Sequence, residues 1–195
     1  MIKTFLGVLF LMIAAPAAAQ EMPAATIVVF DAICLTCHEG ECSGRMALRT
    51  ERAADGLAGH VASYAGPQDD GMVSRLKTLM SRLKTECRMP SPPVAIPPGG
   101  VWQPSALAQV TLPDRQKLFV PLGRLEPGRH SASLSLDTAQ RLRLQVVADT
   151  FDIVLDEEDT VGPDSLRIHW PVDEAGAYFL RIQSRAPIGA LRIGP

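Results

Sequence analysis

The chain has 195 residues, enough for one domain or two small ones, and with 47% hydrophobic and 21% charged residues it lies near the globular average, which excludes wholesale disorder. Its formal charge of −2 offers no electrostatic case for nucleic acid or for an anionic membrane surface.

In chain order, the first element is "MIKTFLGVLFLMIAAPAAAQ", with one early cation, Lys3, and an apolar run from Phe5 to Ala15. The small residues Ala17 and Ala19 are placed for cleavage. This is the pattern of a secretory signal peptide over residues 1–19, too short for a comfortable membrane span. A soluble exported product is expected, with no stable span after cleavage. Export changes what the four cysteines, Cys34, Cys37, Cys42 and Cys87, can mean, because an oxidising compartment does not keep thiols reduced.

Residues 20–88 have helical texture. "PAATIVVFDAICLTCH" reads as a short helix running into a cysteine motif. "TERAADGLAGHVASYAG" sets Ala54, Leu57, Ala58 and Val61 on one stripe and ends at Gly66-Pro67. "DDGMVSRLKTLMSRLKTEC" then spaces Val73, Leu76, Leu79, Met80 and Leu83 by threes and fours. Asp69 and Asp70 stand where a helix N-terminus favours negative charge, and Lys84 stands near the other end.

The stretch 89–105 lies within "RMPSPPVAIPPGGVWQPS", whose six prolines block helix and ladder hydrogen bonds alike. It is expected to be a semi-extended linker and the domain boundary. Beyond it the period falls to two. "KLFVPLG", "SASLSL", "RLRLQVVA", "FDIVL", "SLRIHW", "AYFLRIQ" and "ALRIG" are β-prone runs separated by turn residues. In "RLRLQVV" Leu142, Leu144 and Val146 fall on one face, with Arg141, Arg143 and Gln145 on the other. The expected fold class is therefore an all-α domain followed by an antiparallel β-sandwich over residues 106–195.

One motif carries chemistry. Cys34-Leu35-Thr36-Cys37-His38 places two thiols three positions apart with an imidazole next to the second. That spacing suits covalent haem attachment: Cys34 and Cys37 form thioethers and His38 is the proximal iron ligand. A zinc site, a thioredoxin-like redox pair and a plain disulfide are the alternatives. Zinc needs a second ligand pair at comparable spacing, which Cys42 and Cys87 do not supply. A thioredoxin-like pair needs a βαβ setting. A plain disulfide leaves His38 unexplained.

On these residues, with Phe30 four positions before the first cysteine and a terminal helix, residues 24–90 resemble the monohaem cytochrome c family. The resemblance implies an all-α haem domain, one covalent haem c and one-electron transfer in the bacterial periplasm. The partner implied is a periplasmic redox enzyme or another cytochrome. The chain departs from the family's common pattern because Met89-Pro90 follows the last helix instead of preceding it. The distal ligand is therefore open: His60, in a phrase similar to the "L-x-x-H" helix of bis-histidine bacterial cytochromes, comes first, with Met72 and Met89 as alternatives. Within the same reading, a Cys42–Cys87 disulfide would tie the terminal helix back to the haem loop. It would close a loop of about 45 residues, worth roughly 3 to 4 kcal/mol in the chain-entropy model.

The texture of "FDIVLDEEDTVGPDSLRIHWPVDEAGAYFLRIQS" resembles small jelly-roll sandwiches appended to secreted bacterial proteins. It implies an accessory or docking module. His130, in an expected turn, and His169, in a strand, lack partners at ligand spacing. "LDEEDTVGPD" lacks the ordered alternation of a calcium loop and is expected to be a solvated acidic turn. No Gly-X-Ser-X-Gly turn is present, so a hydrolase has no nucleophile, and an electron carrier is expected rather than an enzyme. The alternative is a haem-based sensor or non-catalytic assembly subunit in which the β-sandwich is the functional module.

Overall fold

A computed structural model of the chain describes residues 22–36, 54–112, 116–163 and 165–194. The expected signal peptide, Cys37, His38 and Cys42 lie outside the described residues.

Among the described residues three helices come first. Helix α1 (Ala24–Ile33) follows Pro23, whose fixed φ sets the chain into the helix, and every residue from Thr26 to Ile33 is buried. A helix that is apolar around its whole circumference must be covered on all sides. A 3-10 turn, Cys34–Thr36, continues it into the motif. Helix α2 (Ala54–Ala65) buries Leu57, Val61 and Ala65, so its stripe is rotated from the expected one and Ala58 is exposed. Helix α3 (Met72–Glu86) buries Met72, Leu76, Leu79, Met80 and Leu83. Asp69 opens it, its carboxylate accepting from the Gly71 N–H at 2.9 Å. Cys87 closes it in the left-handed region, φ 54°, donating its N–H to the Leu83 carbonyl.

Two antiparallel sheets form a sandwich. The strands are β1 (Val101–Trp102), β2 (Thr111–Leu112), β3 (Lys117–Leu125), β4 (Gly128–Leu136), β5 (Gln140–Ala148), β6 (Ile153–Val161), β7 (Ser165–Val172), β8 (Gly176–Gln183) and β9 (Ile188–Gly194). One sheet has the order β1-β9-β4-β7 and the other β2-β3-β8-β5-β6. All seven β-prone runs of the sequence are strands. The expected wet face of "RLRLQVV" is also present: Leu142, Leu144 and Val146 are buried, and Arg141 and Arg143 are exposed.

Two expectations change. "LDEEDTVGPD" is for the most part strand β6 and not a turn, its acidic residues running along a sheet edge, where charge discourages pairing with another chain. His130 lies in β4 rather than in a turn, its ring nitrogen 2.8 Å from the Glu126 carbonyl oxygen.

The proline-rich stretch has neither helix nor strand up to Pro97, but its end belongs to the sandwich. Val101 and Trp102 pair with Arg192 and Leu191 of β9, and Trp102 is fully buried. A fourth helix of one turn, α4 (Pro104–Leu107), follows.

The five-stranded sheet is covered by the other sheet on one face and by α1 on part of the other. Leu118, Val120, Leu144, Val146, Leu180 and Ile182 share one face and are buried with Leu134, Ile168 and Leu191 of the other sheet in one apolar core. Phe119 and Phe179, stacked at 4.7 Å, alternate onto the opposite face together with Arg181. On that face lies α1. Its residues belong to the same core as the sandwich, and its Asp31 is bonded to Arg181 of β8.

Candidate functional site

The site is built from the end of α1 outward. Asp31 is the only charged residue in that helix and is fully buried. Its two carboxylate oxygens accept from Arg181 Nη2 at 2.6 Å and Arg181 Nε at 2.7 Å. Burial pushes the Asp31 carboxyl above the ordinary aspartate range, and the adjacent guanidinium works against that shift. One residue on, the Ala32 carbonyl accepts from Lys117 Nζ at 3.0 Å, satisfying one of the orphan acceptors at the helix end. A small cavity of about 50 Å³ lies here, lined by Ala32, Lys117, Arg143, Gln145 and Arg181 among others.

Cys34 stands one turn beyond Asp31, half-buried and packed against the core. Residues three apart on a helical turn share a face, so Asp31 and Cys34 lie on one side of the segment. Cys87 is disulfide-bonded. Helical continuity through Thr36 is what the Cys-X-X-Cys-His spacing needs if two sulfurs are to reach one porphyrin.

The distal candidates differ in burial. His60 is exposed on α2, its ring tilted against Tyr64 at a centroid distance of 4.7 Å. Met72 is buried at the start of α3. Met89 is buried beyond the end of α3, and its backbone N–H donates to the Asp149 carbonyl at 2.7 Å. Asp149 also accepts from Arg88 Nη1 at 3.0 Å, so the chain leaving α3 is strapped to the β5–β6 turn. That turn holds Phe151 at φ 75°, a conformation bulky residues rarely adopt.

His169 is exposed on β7. On β6, Asp156 is paired with Arg143 at 2.8 Å and Glu158 with Arg141 at 2.7 Å. Among the described residues no group of three or more His, Cys, Asp and Glu side chains is placed to hold a metal ion.

The Asp31–Arg181 pair escaped the sequence reading. Its signal was one carboxylate in the run "IVVFDAIC", where nothing local neutralises it. A charge in so apolar a helix needs a buried partner.

No family model matches the chain, and no curated protein matches it. Among solved structures, the Anabaena sensory rhodopsin transducer is similar at 13% identity and a TM-score of 0.30, over 40% of this chain and 81% of that one. FlgD from P. aeruginosa is similar at 13% identity and a TM-score of 0.29, over 40% of this chain and 72% of that one.

Proposed function

We propose that this chain is an exported c-type cytochrome that carries one covalent haem on Cys34 and Cys37, with His38 as the proximal iron ligand, and passes single electrons to or from a periplasmic redox partner. One observation carries the reading. The motif begins on the last turn of a helix that is buried from Thr26 to Ile33 and tied to the sheet by Asp31–Arg181 and Lys117. A group attached there is held by rigid elements, as a site that must present one fixed edge to a partner requires. When bound, haem supplies the one-electron chemistry. This chain's own residues fix the orientation of the group, exclude water along α1 and set the charge around it. Residues 1–19 direct export, and the Cys42–Cys87 disulfide closes the helical part. An all-α cytochrome-like domain over 20–88 and a sandwich over 106–195 remain the proposed division.

The sandwich is proposed to be a jelly roll. Strands β1, β9, β4 and β7 lie in one sheet and β3, β8, β5 and β6 in the other, and the chain changes sheet at every step among them except the β5–β6 hairpin, as two interlocked Greek keys do.

The deciding experiment expresses the full chain in a host that matures c-type cytochromes and records the absorption of the reduced, denatured protein. A covalent haem band that disappears in Cys34→Ser/Cys37→Ser is the expected result. A mature chain with no covalently retained haem overturns the proposal.

A second reading, a haem-based sensor, is favoured by the burial of Met72 and Met89 in the protein core while His60 is exposed. It keeps an exchangeable position on the iron. Carbon monoxide binding to the reduced protein discriminates the two: a six-coordinate carrier resists it, and a sensor with an open site takes it up.

A further inference from the structure

We infer that the open half of the outer face of the five-stranded sheet is a binding site for a small polyvalent oxyanion. The site is independent of the proposed haem chemistry. It is a hollow of about 270 Å³ lined by Arg141, Arg143, Arg185, Glu158, Gln183 and Ser184 together with Leu142. The sheet register dictates this gathering. Arg143 is the cross-strand partner of Gln183, and two residues further along each strand direction come Arg141 and Arg185. Side chains two apart share a face, so Arg141 and Arg143 project to the same side of β5. The Arg185 backbone is held by its N–H donating to Gln140 Oε1 at 2.9 Å, which anchors the turn that carries its guanidinium.

Three guanidiniums and one carboxylate thus line a single hollow in a chain whose net charge is −2. The neighbouring carboxylates orient the arginines without using them up. Asp156 accepts from Arg143 Nε at 2.9 Å and Nη2 at 2.8 Å, and Glu158 pairs with Arg141 Nε at 2.7 Å. A guanidinium has five N–H donors in a fixed fork, so donors remain on each for a bidentate oxyanion. Polyvalency matters because Glu158 stands in the lining: a monovalent anion gains little against it, whereas a di- or trivalent one is held by all three arginines.

The test is calorimetric titration of the mature full chain at low salt with pyrophosphate, inorganic phosphate and citrate in separate arms. One saturable site is expected for pyrophosphate or citrate, and which of the two binds more tightly assigns the natural ligand to phosphate or carboxylate chemistry. Arg185→Gln and Arg141→Gln should each weaken that site about tenfold, about 1.4 kcal/mol, and abolish the rise in melting temperature that the anion gives the parent protein. Arg185 is exposed, so its variant should fold, as an unchanged far-ultraviolet circular dichroism spectrum would establish. Arg167→Gln, on the other sheet, should change neither readout. Absence of a saturable site in every arm, or equal weakening by Arg167→Gln and Arg185→Gln, overturns the inference.

Discussion

Asp31 on α1 and Arg181 on β8, 150 residues apart in the chain, meet in a two-pronged ion pair at 2.6 and 2.7 Å beneath the cysteine motif. Asp31 is fully buried and the Arg181 side chain is 12% exposed. Removing one partner of a buried pair strands the other charge in a medium that cannot solvate it. Asp31→Asn or Arg181→Met should therefore each cost about 3 to 5 kcal/mol in urea unfolding, while the apolar double variant Asp31→Leu/Arg181→Met recovers most of that loss.

The acid profile should carry two opposite contributions. Burial raises the Asp31 carboxyl above its ordinary value of 3.8, so the folded protein holds that proton more tightly than the unfolded chain. Its contribution to stability is fully present below 3.8 and is lost as pH rises through the raised folded value. Asp156 is the reverse case: the Arg143 hydrogen bond, assisted by Gln145, holds it below 3.8. Its contribution is present above 3.8 and is lost as pH falls through the lowered folded value. Denaturant midpoints measured from about pH 2 to 6 should show Asp31→Asn removing the decline above 3.8 and Asp156→Asn removing part of the decline below it.

Trp102 tests whether the end of the proline-rich stretch is structural. It is fully buried and lies on β1, paired with β9. Trp102→Ala should cost about 3 to 5 kcal/mol in the unfolding of the sandwich, a loss no flexible tether would show.

The disulfide of Cys87 caps α3 in a strained left-handed residue. Reduction under native conditions, or Cys87→Ser, should destabilise the protein by about 2 to 5 kcal/mol, read from the thermal midpoint. If the partner is Cys42, Cys42→Ser produces the same shift and the double variant adds nothing.

The distal-ligand candidates separate by burial. His60→Ala, at an exposed position, should leave stability within about 0.5 kcal/mol, so any change in the visible spectrum of the haem-loaded protein reports ligation. Met72→Ala and Met89→Ala, in the core, should each cost about 2 to 5 kcal/mol whatever their role. For these two the spectrum alone is diagnostic.

The helices and strands were legible because their signals are local. The three-and-four spacing of Leu76, Leu79, Met80 and Leu83 and the alternation of Leu142, Leu144 and Val146 each describe one face of one element, and both faces are buried. The α2 stripe was read one step off, because alanines at 54 and 58 weigh little against Leu57 and Val61, and the neighbours chose the side that buries Ala65. The acidic run on β6 was misread because sheet-edge charge looks the same in sequence as a solvated turn. Only pairing with Arg141 and Arg143 across the ladder makes it a strand.

What the sequence alone determined is the inventory: a helix entering Cys-X-X-Cys-His, two more helices, and seven β-runs whose alternation allows two packed sheets. The tertiary structure decided where these meet. It laid α1 on the outer face of the five-stranded sheet, matched Asp31 with Arg181, drew Trp102 into the sandwich, and gathered Arg141, Arg143 and Arg185 around one hollow. Periodicity reports which residues of an element must leave water, because that depends only on the residue and its near neighbours. Which buried charge finds which partner depends on strand order and register, which bring together residues as far as 49 and 150 positions apart.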